Sequence, residues 1–198
     1  RYLPISLVMQ PTGQSAEEMT LASTFTLDIY NPYQQAQTKP LSQSAPQNLA
    51  ANFSAPYGLW LAQNNMVEAA YRSLLALDEK NTVPKVYLLE PYQPTNSVII
   101  LLHGLAGSPE TWVSLTNEVL GDPDLRQGYQ VWQVFYPTNM PMLESRLRIQ
   151  QLIEQTYQQV DPKQHDAASR HSVLIGHSMG GVISRLMVSP TDLSQAAF

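Results

Sequence analysis

The chain has no cysteine among its 198 residues. That absence removes disulfides, thiolate metal sites and cysteine nucleophiles together, and it leaves the redox compartment open. Charge is also scarce, with Asp, Glu, Lys and Arg at 14% against the usual quarter. No run of Lys or Arg occurs, the net charge is −5 and the pI about 5.3. A phosphate backbone would find no basic surface, so nucleic acid is set aside as a partner. The longest apolar run, Val98 to Leu102, falls far short of the roughly 20 residues that cross a bilayer. No signal peptide is present, and the chain starts at Arg1 rather than methionine, as after removal of an export signal or after trimming.

What is present suits one well-buried domain with an extension, at 22.1 kDa with 43% hydrophobic and 9% aromatic residues. Gln, Asn, Ser, Thr and Pro supply the polar surface. Residues 1–80 read as an N-terminal extension with one helix packing on the core, and residues 81–198 as the domain proper. In the extension, Phe25 to Tyr30 alternates like a half-buried strand until Asn31-Pro32 stops it, and Gln34 to Asn48 is a Gln/Ser/Pro-rich loop. From Ala55 to Leu77, residues Leu59, Met66, Ala69, Ala70, Leu74 and Leu77 fall near a 3.6-residue period and predict a packing helix.

The remainder alternates strand and helix. Val83 to Glu90 reads as a strand, Pro91 to Asn96 as a turn, and Ser97 to Leu102 as a strand buried on both faces. Ser108, Pro109 and Glu110 form a helix start, Trp112, Leu115 and Val119 share one helical face, and Gly121-Asp122-Pro123 closes that helix. Tyr129 to Tyr136 is the next strand, Met142 to Val160 the next helix, and His171 to Ile175 the third strand of the series. Such alternation predicts an α/β fold with a mostly parallel sheet covered on both faces. Ligands in these sheets collect at the carboxyl ends of the strands, where His103-Gly104 and Ser178 both fall.

The stretch Gly176-His177-Ser178-Met179-Gly180-Gly181 joins the third strand to a helix through a Gly-x-Ser-x-Gly turn. A serine at the tip of so tight a turn is held in strained geometry, and positions two before and two after approach other backbone too closely for a side chain. The following helix aims its unpaired N–H groups and positive dipole end at the same spot. Ser178 is thereby placed as a nucleophile.

These residues resemble the α/β-hydrolase superfamily of serine esterases and lipases. Gly176-His177-Ser178-Met179-Gly180 is similar to its nucleophile elbow, and His103-Gly104-Leu105 to the oxyanion loop of lipases. The resemblance covers about Val83 to Val188 and implies an α/β-hydrolase fold, represented only through the helix after the elbow. It further implies an acyl-enzyme on Ser178, with backbone N–H groups of Leu105 and Met179 as oxyanion donors and His103, Gly104, Gly176, His177 and Gly180 as the supporting motif. Asn52 to Pro56, Tyr87 to Tyr92, His103 to Pro109 and Phe135 to Thr138 resemble a group of bacterial hydrolases, many of them exported or lipoproteins. That likeness implies an exported protein, periplasmic or associated with the outer membrane, with possible membrane association through a lipid anchor upstream of Arg1.

The chain departs from the superfamily at the triad, which runs Ser, acid, His along the sequence. After Ser178 come one carboxylate, Asp192, and no histidine. Asp192 is too early for the acid and reads as a turn residue. His103 reads as shaping the oxyanion loop, His165 as a loop residue, His171 as preceding a strand, and His177 as turned away from its neighbour. An apolar parallel strand left as a bare edge is an aggregation hazard, so a missing C-terminal portion of the same protein is expected to complete the sheet and carry the acid and base. The substrate is expected to be a small-molecule or lipid ester. Thioesterase, acyltransferase, amidase and peptidase activities stay open, as does a non-catalytic binding or scaffold protein lacking a complete triad. No His, Asp or Glu cluster has ligand spacing, so neither metal nor cofactor is expected.

Overall fold

A computed structural model of the chain describes residues 3–13, 15–35, 37–38, 48–64 and 83–189. The chain forms two compact units, Arg1–Tyr57 and Gly58–Phe198. In the first, strand β1 (Ser6–Pro11) pairs antiparallel with β2 (Phe25–Tyr30), with Leu7 opposite Ile29 and Met9 opposite Leu27. A short helix, α1 (Ala16–Thr20), lies between them, and Ser15 accepts the Glu18 N–H at 3.2 Å to cap it. The sequence carried too little periodicity to reveal β1 or α1. The strand over Phe25–Tyr30 is present, but it is not half-buried as its alternation predicts: Phe25, Leu27 and Ile29 are exposed and Tyr30 is buried. Protection is confined to the Ser6–Tyr30 end of the pair, where Ser6 donates to the Ala50 carbonyl at 2.7 Å.

Helix α2 (Ser54–Asn64) crosses from one unit into the next, with the Asn52 side chain accepting the Ala55 N–H at 2.8 Å at its start. Residues 65–82, which hold the rest of the helix predicted to reach Leu77, lie outside the described residues, as do most of the 34–48 loop and Asp192.

The second unit is built on a four-stranded sheet of β3 (Lys85–Leu88), β4 (Ser97–Leu102), β5 (Tyr129–Phe135) and β6 (Ser172–Gly176), in the order β3-β5-β4-β6. β4 runs parallel to both β5 and β6, while β3 is antiparallel to β5. The link from β3 to β4 explains that reversal: residues 89–96 contain no crossover helix, and a parallel connection needs a dozen residues or more. The fold is thus α/β with a mixed, mostly parallel sheet flanked by helices.

Helices α3 (Val113–Gly121), α4 (Pro123–Gly128), α5 (Met142–Val160), α6 (Ala167–Arg170) and α7 (Met179–Met187) follow in order. Gly121-Asp122-Pro123 does more than end a helix. The Asp122 carboxylate accepts the Asp124 and Leu125 N–H groups at 2.9 Å, and Pro123 takes the first helical position, so the breaker of α3 is the cap of α4.

The two faces of β4 separate the helices. Val98, Ile100 and Leu102 join Trp132, Val134, Tyr136, Ile149, Ile153 and Ile183 in one apolar cluster, which takes in α5 and α7. On the opposite face, Gln133 of β5 donates to Thr116 of α3 at 2.9 Å. The chain leaves β4 toward the α3 face and leaves β6 toward the α5/α7 face. The connections thus part to opposite faces at the carboxyl ends of β4 and β6, the kind of switch point where such sheets bind ligands.

Trp132 is 1% exposed, and its ring lies 4.7 Å from Tyr157 and 6.4 Å from Tyr92. Trp132→Ala is expected to cost about 3–5 kcal/mol of unfolding free energy, measurable by urea denaturation. A loss under about 1 kcal/mol would contradict this account of the core.

Candidate active site

β6 ends where its ladder to β4 ends: the His177 N–H donates to the Leu102 carbonyl at 3.0 Å, and the chain then turns sharply. Ser178 occupies the turn at φ 53° and ψ −120°, a left-handed backbone that costs a non-glycine residue on the order of 1–3 kcal/mol. The turn is closed by the Gly180 N–H to the His177 carbonyl and the Gly181 N–H to the Ser178 carbonyl, both at 2.9 Å. Ser178 itself is exposed.

The flanking glycines answer to close backbone contacts. A Cβ on Gly176 would lie 2.3 Å from the Gly180 carbonyl oxygen, and one on Gly180 would lie 2.3 Å from the Leu102 oxygen and 2.5 Å from the His103 oxygen. Gly104 is tied to the same place, since its Cβ would lie 3.0 Å from both the Ser178 Cβ and His177 Nδ1. The end of β4 and the turn after β6 therefore touch backbone to backbone. Gly181 is less constrained, with its nearest neighbour, the Gly176 oxygen, at 3.2 Å.

The loop after β4 presents its own N–H groups. Gly107 donates to the Gly104 carbonyl at 3.0 Å, and Ala106, at φ 53°, donates to Thr138 Oγ1 at 3.1 Å. The N–H between Gly104 and Ala106, that of Leu105, has no acceptor among the described residues. Met179 opens α7, so its N–H has no partner within the helix. The Leu105 side chain is 60% exposed.

His103 is fully buried and stacks on Tyr136, with ring centroids 4.4 Å apart and planes 12° from parallel. The Tyr136 N–H, which can only donate, reaches His103 Nε2 at 3.3 Å, and the Gly104 carbonyl, which can only accept, lies 2.9 Å from Nδ1. The ring is therefore a neutral imidazole with its proton on Nδ1. Burial depresses its pKa from 6.5 to about 4, against a small opposing effect of the Gly104 hydrogen bond. Tyr136 returns a third contact, donating its hydroxyl to the His103 carbonyl at 2.5 Å. Both ring nitrogens are occupied by backbone, which closes His103 to the role of a base for Ser178.

The other histidines are placed elsewhere. His171 precedes β6, about 17 Å along the strand from the turn. His165 lies in the loop after α5, near the amino end of β4, where Ala168 donates to the Pro94 carbonyl. The carboxylates there are occupied: Asp161 accepts from the His165 and Asp166 N–H groups and from Ser169, and Asp166 from the Tyr92 hydroxyl. His177 is exposed beside Ser178, with Nδ1 against Gly104. Among the described residues, no three His, Asp or Glu side chains gather as a group able to hold a metal ion, and no helix is long and apolar enough to cross a membrane.

The structure thus brings Gly104, Leu105, Gly176, His177, Ser178, Met179 and Gly180 to one point, with His103 directly beneath. Sequence reasoning gave no role to Tyr136 or Thr138. Their contacts arise only when β5 lies beside β4, and the likeness of Phe135 to Thr138 to bacterial hydrolases marked the stretch without giving either residue a role.

Comparison with known proteins adds one match. Residues 93–197 fit the family model described as PGAP1-like alpha/beta domain. No curated protein and no solved structure matches.

Two predictions follow from this geometry. Gly180→Ala should destabilise the fold by several times as much as Gly181→Ala, because its Cβ meets two carbonyl oxygens that cannot step aside; equal melting temperatures would refute the close approach. Because the unfolded His103 protonates near 6.5 and the folded one near 4, its contribution is constant above pH 6.5 and stability is lost as pH falls toward 4, by about 3 kcal/mol. A His103→Gln variant should show a shallower fall in unfolding free energy between pH 7 and 4 than the parent chain; identical slopes would refute it.

Proposed function

The chain belongs to the PGAP1-like alpha/beta domain family, a family of the α/β-hydrolase superfamily, and we propose that it hydrolyses carboxylic esters through Ser178. The observation that carries this reading is Ser178 itself: exposed, held at a positive φ between β6 and a helix amino terminus, with two unengaged backbone N–H groups close by. A structural serine has no need of that conformation.

In this reading the Ser178 hydroxyl adds to the ester carbonyl as a general base removes its proton. The carbonyl oxygen becomes an oxyanion that accepts hydrogen bonds from the Leu105 and Met179 N–H groups, each worth roughly 3–4 kcal/mol in the transition state. Collapse expels the alcohol, which takes up the proton, and leaves an acyl group on Ser178. Water then adds to the acyl carbonyl in the same hole and releases the carboxylic acid. The exposed Leu105 side chain offers an apolar surface beside the reacting carbon, which suits an acyl chain and favours small or lipid-like esters.

We place the base and its acid outside residues 83–189. His103 is sealed, His165, Asp161 and Asp166 lie at the far end of the sheet and His171 at the far end of β6, and His177, though next to Ser178 in the chain, makes no hydrogen bond to it. Among the described residues β6 is the edge of the sheet, with Val173 43% exposed, and a further portion of the protein paired there would bring such groups to the carboxyl end of the strands. That no side chain among the described residues hydrogen-bonds to Ser178 favours the second reading, a binding protein that keeps the fold without the chemistry. Acyl transfer to an acceptor other than water, or thioester cleavage, would use the same serine.

A fluorophosphonate probe separates these readings. One adduct by intact mass, absent in Ser178→Ala, is the expected result. A protein that remains unlabelled while folded would overturn the hydrolase reading and leave the binding protein.

A further inference from the structure

We infer that Thr138 is a positioning residue for the oxyanion loop, acting through Ala106; the inference rests on the hydrolase reading of Ser178. Leu105 can serve as an oxyanion donor only if its peptide is held in one orientation, because a hydrogen bond aimed at a developing charge is worth most when no reorganisation is needed at the moment of reaction. The loop does not achieve this by its own sequence. Ala106 sits at φ 53° without being glycine, a conformation that persists only when its surroundings hold it.

The restraint comes from the segment after β5. Thr138 is 6% exposed, and its Oγ1 takes the Ala106 N–H at 3.1 Å. Two residues earlier, Tyr136 grips His103 through the ring stack, the N–H to Nε2 and the hydroxyl to the His103 carbonyl. The loop is therefore fastened at two points, His103 and Ala106, with Gly104 and Leu105 spanning the interval. Gly104 is pinned in turn against Ser178. Once the Ala106 N–H is given to Thr138 and the Gly107 N–H to Gly104, the donors left in the interval are the adjoining N–H groups of Gly104 and Leu105.

The two fastenings differ in what their loss would do. Tyr136 is part of the apolar cluster, so removing it perturbs the core. Thr138 contributes one acceptor oxygen at the rim of the site. Replacing Thr138 by valine keeps the shape and deletes that acceptor, which frees the Ala106 peptide to turn and carry Leu105 with it. Serine retains the acceptor.

The test compares the parent protein, Thr138→Val and Thr138→Ser by three measurements: the rate of Ser178 labelling by a fluorophosphonate, kcat and KM for a short p-nitrophenyl ester per titrated active site, and amide exchange at Ala106. Thr138→Val is expected to exchange Ala106 faster and to lose about tenfold or more in labelling rate and kcat, with KM changed less than about twofold. Thr138→Ser should restore all three to within about threefold of the parent. A merely structural role would lower the titratable fraction and the melting temperature, leaving the rate per active site intact, and that result would overturn the inference. So would equal labelling rates in the parent and Thr138→Val, or a serine variant as slow as the valine one. A parent protein whose Ser178 is never labelled overturns the hydrolase reading and this inference with it, whereas labelling indifferent to residue 138 overturns only the role of Thr138.

Discussion

The approach of two backbones at the carboxyl end of the sheet is the constraint on which the site depends. Gly180, in the first turn of α7, lies where any Cβ would strike the Leu102 and His103 carbonyl oxygens. That contact places a helix amino terminus directly over the end of the central strand β4, and the parallel ladder between β4 and β6 fixes the height at which it happens. Side-chain packing tolerates substitutions of similar volume, but backbone-to-backbone contact leaves no such latitude. The positions of Ser178 and of the loop after β4 are therefore coupled through main-chain atoms, and Gly104 completes the coupling by resting on the Ser178 Cβ.

Such closeness carries an electrostatic demand that His103 meets. A charged imidazolium directly beneath the loop after β4 would lack solvent, and its second N–H would meet the Tyr136 N–H head-on. Burial keeps the ring neutral, and the neutral ring accepts on one side and donates on the other, so it joins β5 to the loop while exposing no unmet polar atom. The same ring serves as an aromatic face for Tyr136. A leucine here could fill the space but would leave the Tyr136 N–H and the Gly104 carbonyl without these partners.

The sequence disclosed those parts of the structure whose causes are local. The order of strands and helices from Val83 onward follows from apolar runs and cap residues that act within a few positions, and the turn at Gly176 to Gly181 follows from steric rules that need only its own residues. What it concealed was set by pairing at a distance. The short link to β4 reverses β3, but its place beside β5 rather than β4 is set by distant pairing. The exposure of Leu27 and Ile29 depends on how much of a two-stranded sheet is covered, which alternation alone leaves open. The second role of Asp122, as a cap rather than a stop, is compatible with its neighbours but not demanded by them. Thr138 and Tyr136 belong to the same class: they lie 32 and 33 residues from their partners, and a threonine in a loop after a strand reads as nothing more than a turn residue.

Two residues at the carboxyl end of the sheet, Ser178 and Ala106, hold positive φ without being glycine, and each stands one position from a proposed oxyanion donor. A site built from unstrained segments could present the same atoms, but its segments would also relax to the commoner backbone and withdraw them. Strain of this kind is stable only where the surroundings over-determine the conformation, and here both segments are tied to strand ends. Ser178 is held by the end of β6 and the start of α7, and Ala106 by a loop fastened to the end of β5. The Leu105 donor thus inherits the rigidity of a buried parallel pair, β4 and β5, whose apolar residues are almost completely removed from water, and the Met179 donor is tied to the same pair through the β4–β6 ladder. Because the site is carried by the same strands that form the core, substitutions in that core should disturb donor geometry before they unfold the domain, and stability and chemistry are joined through one set of contacts.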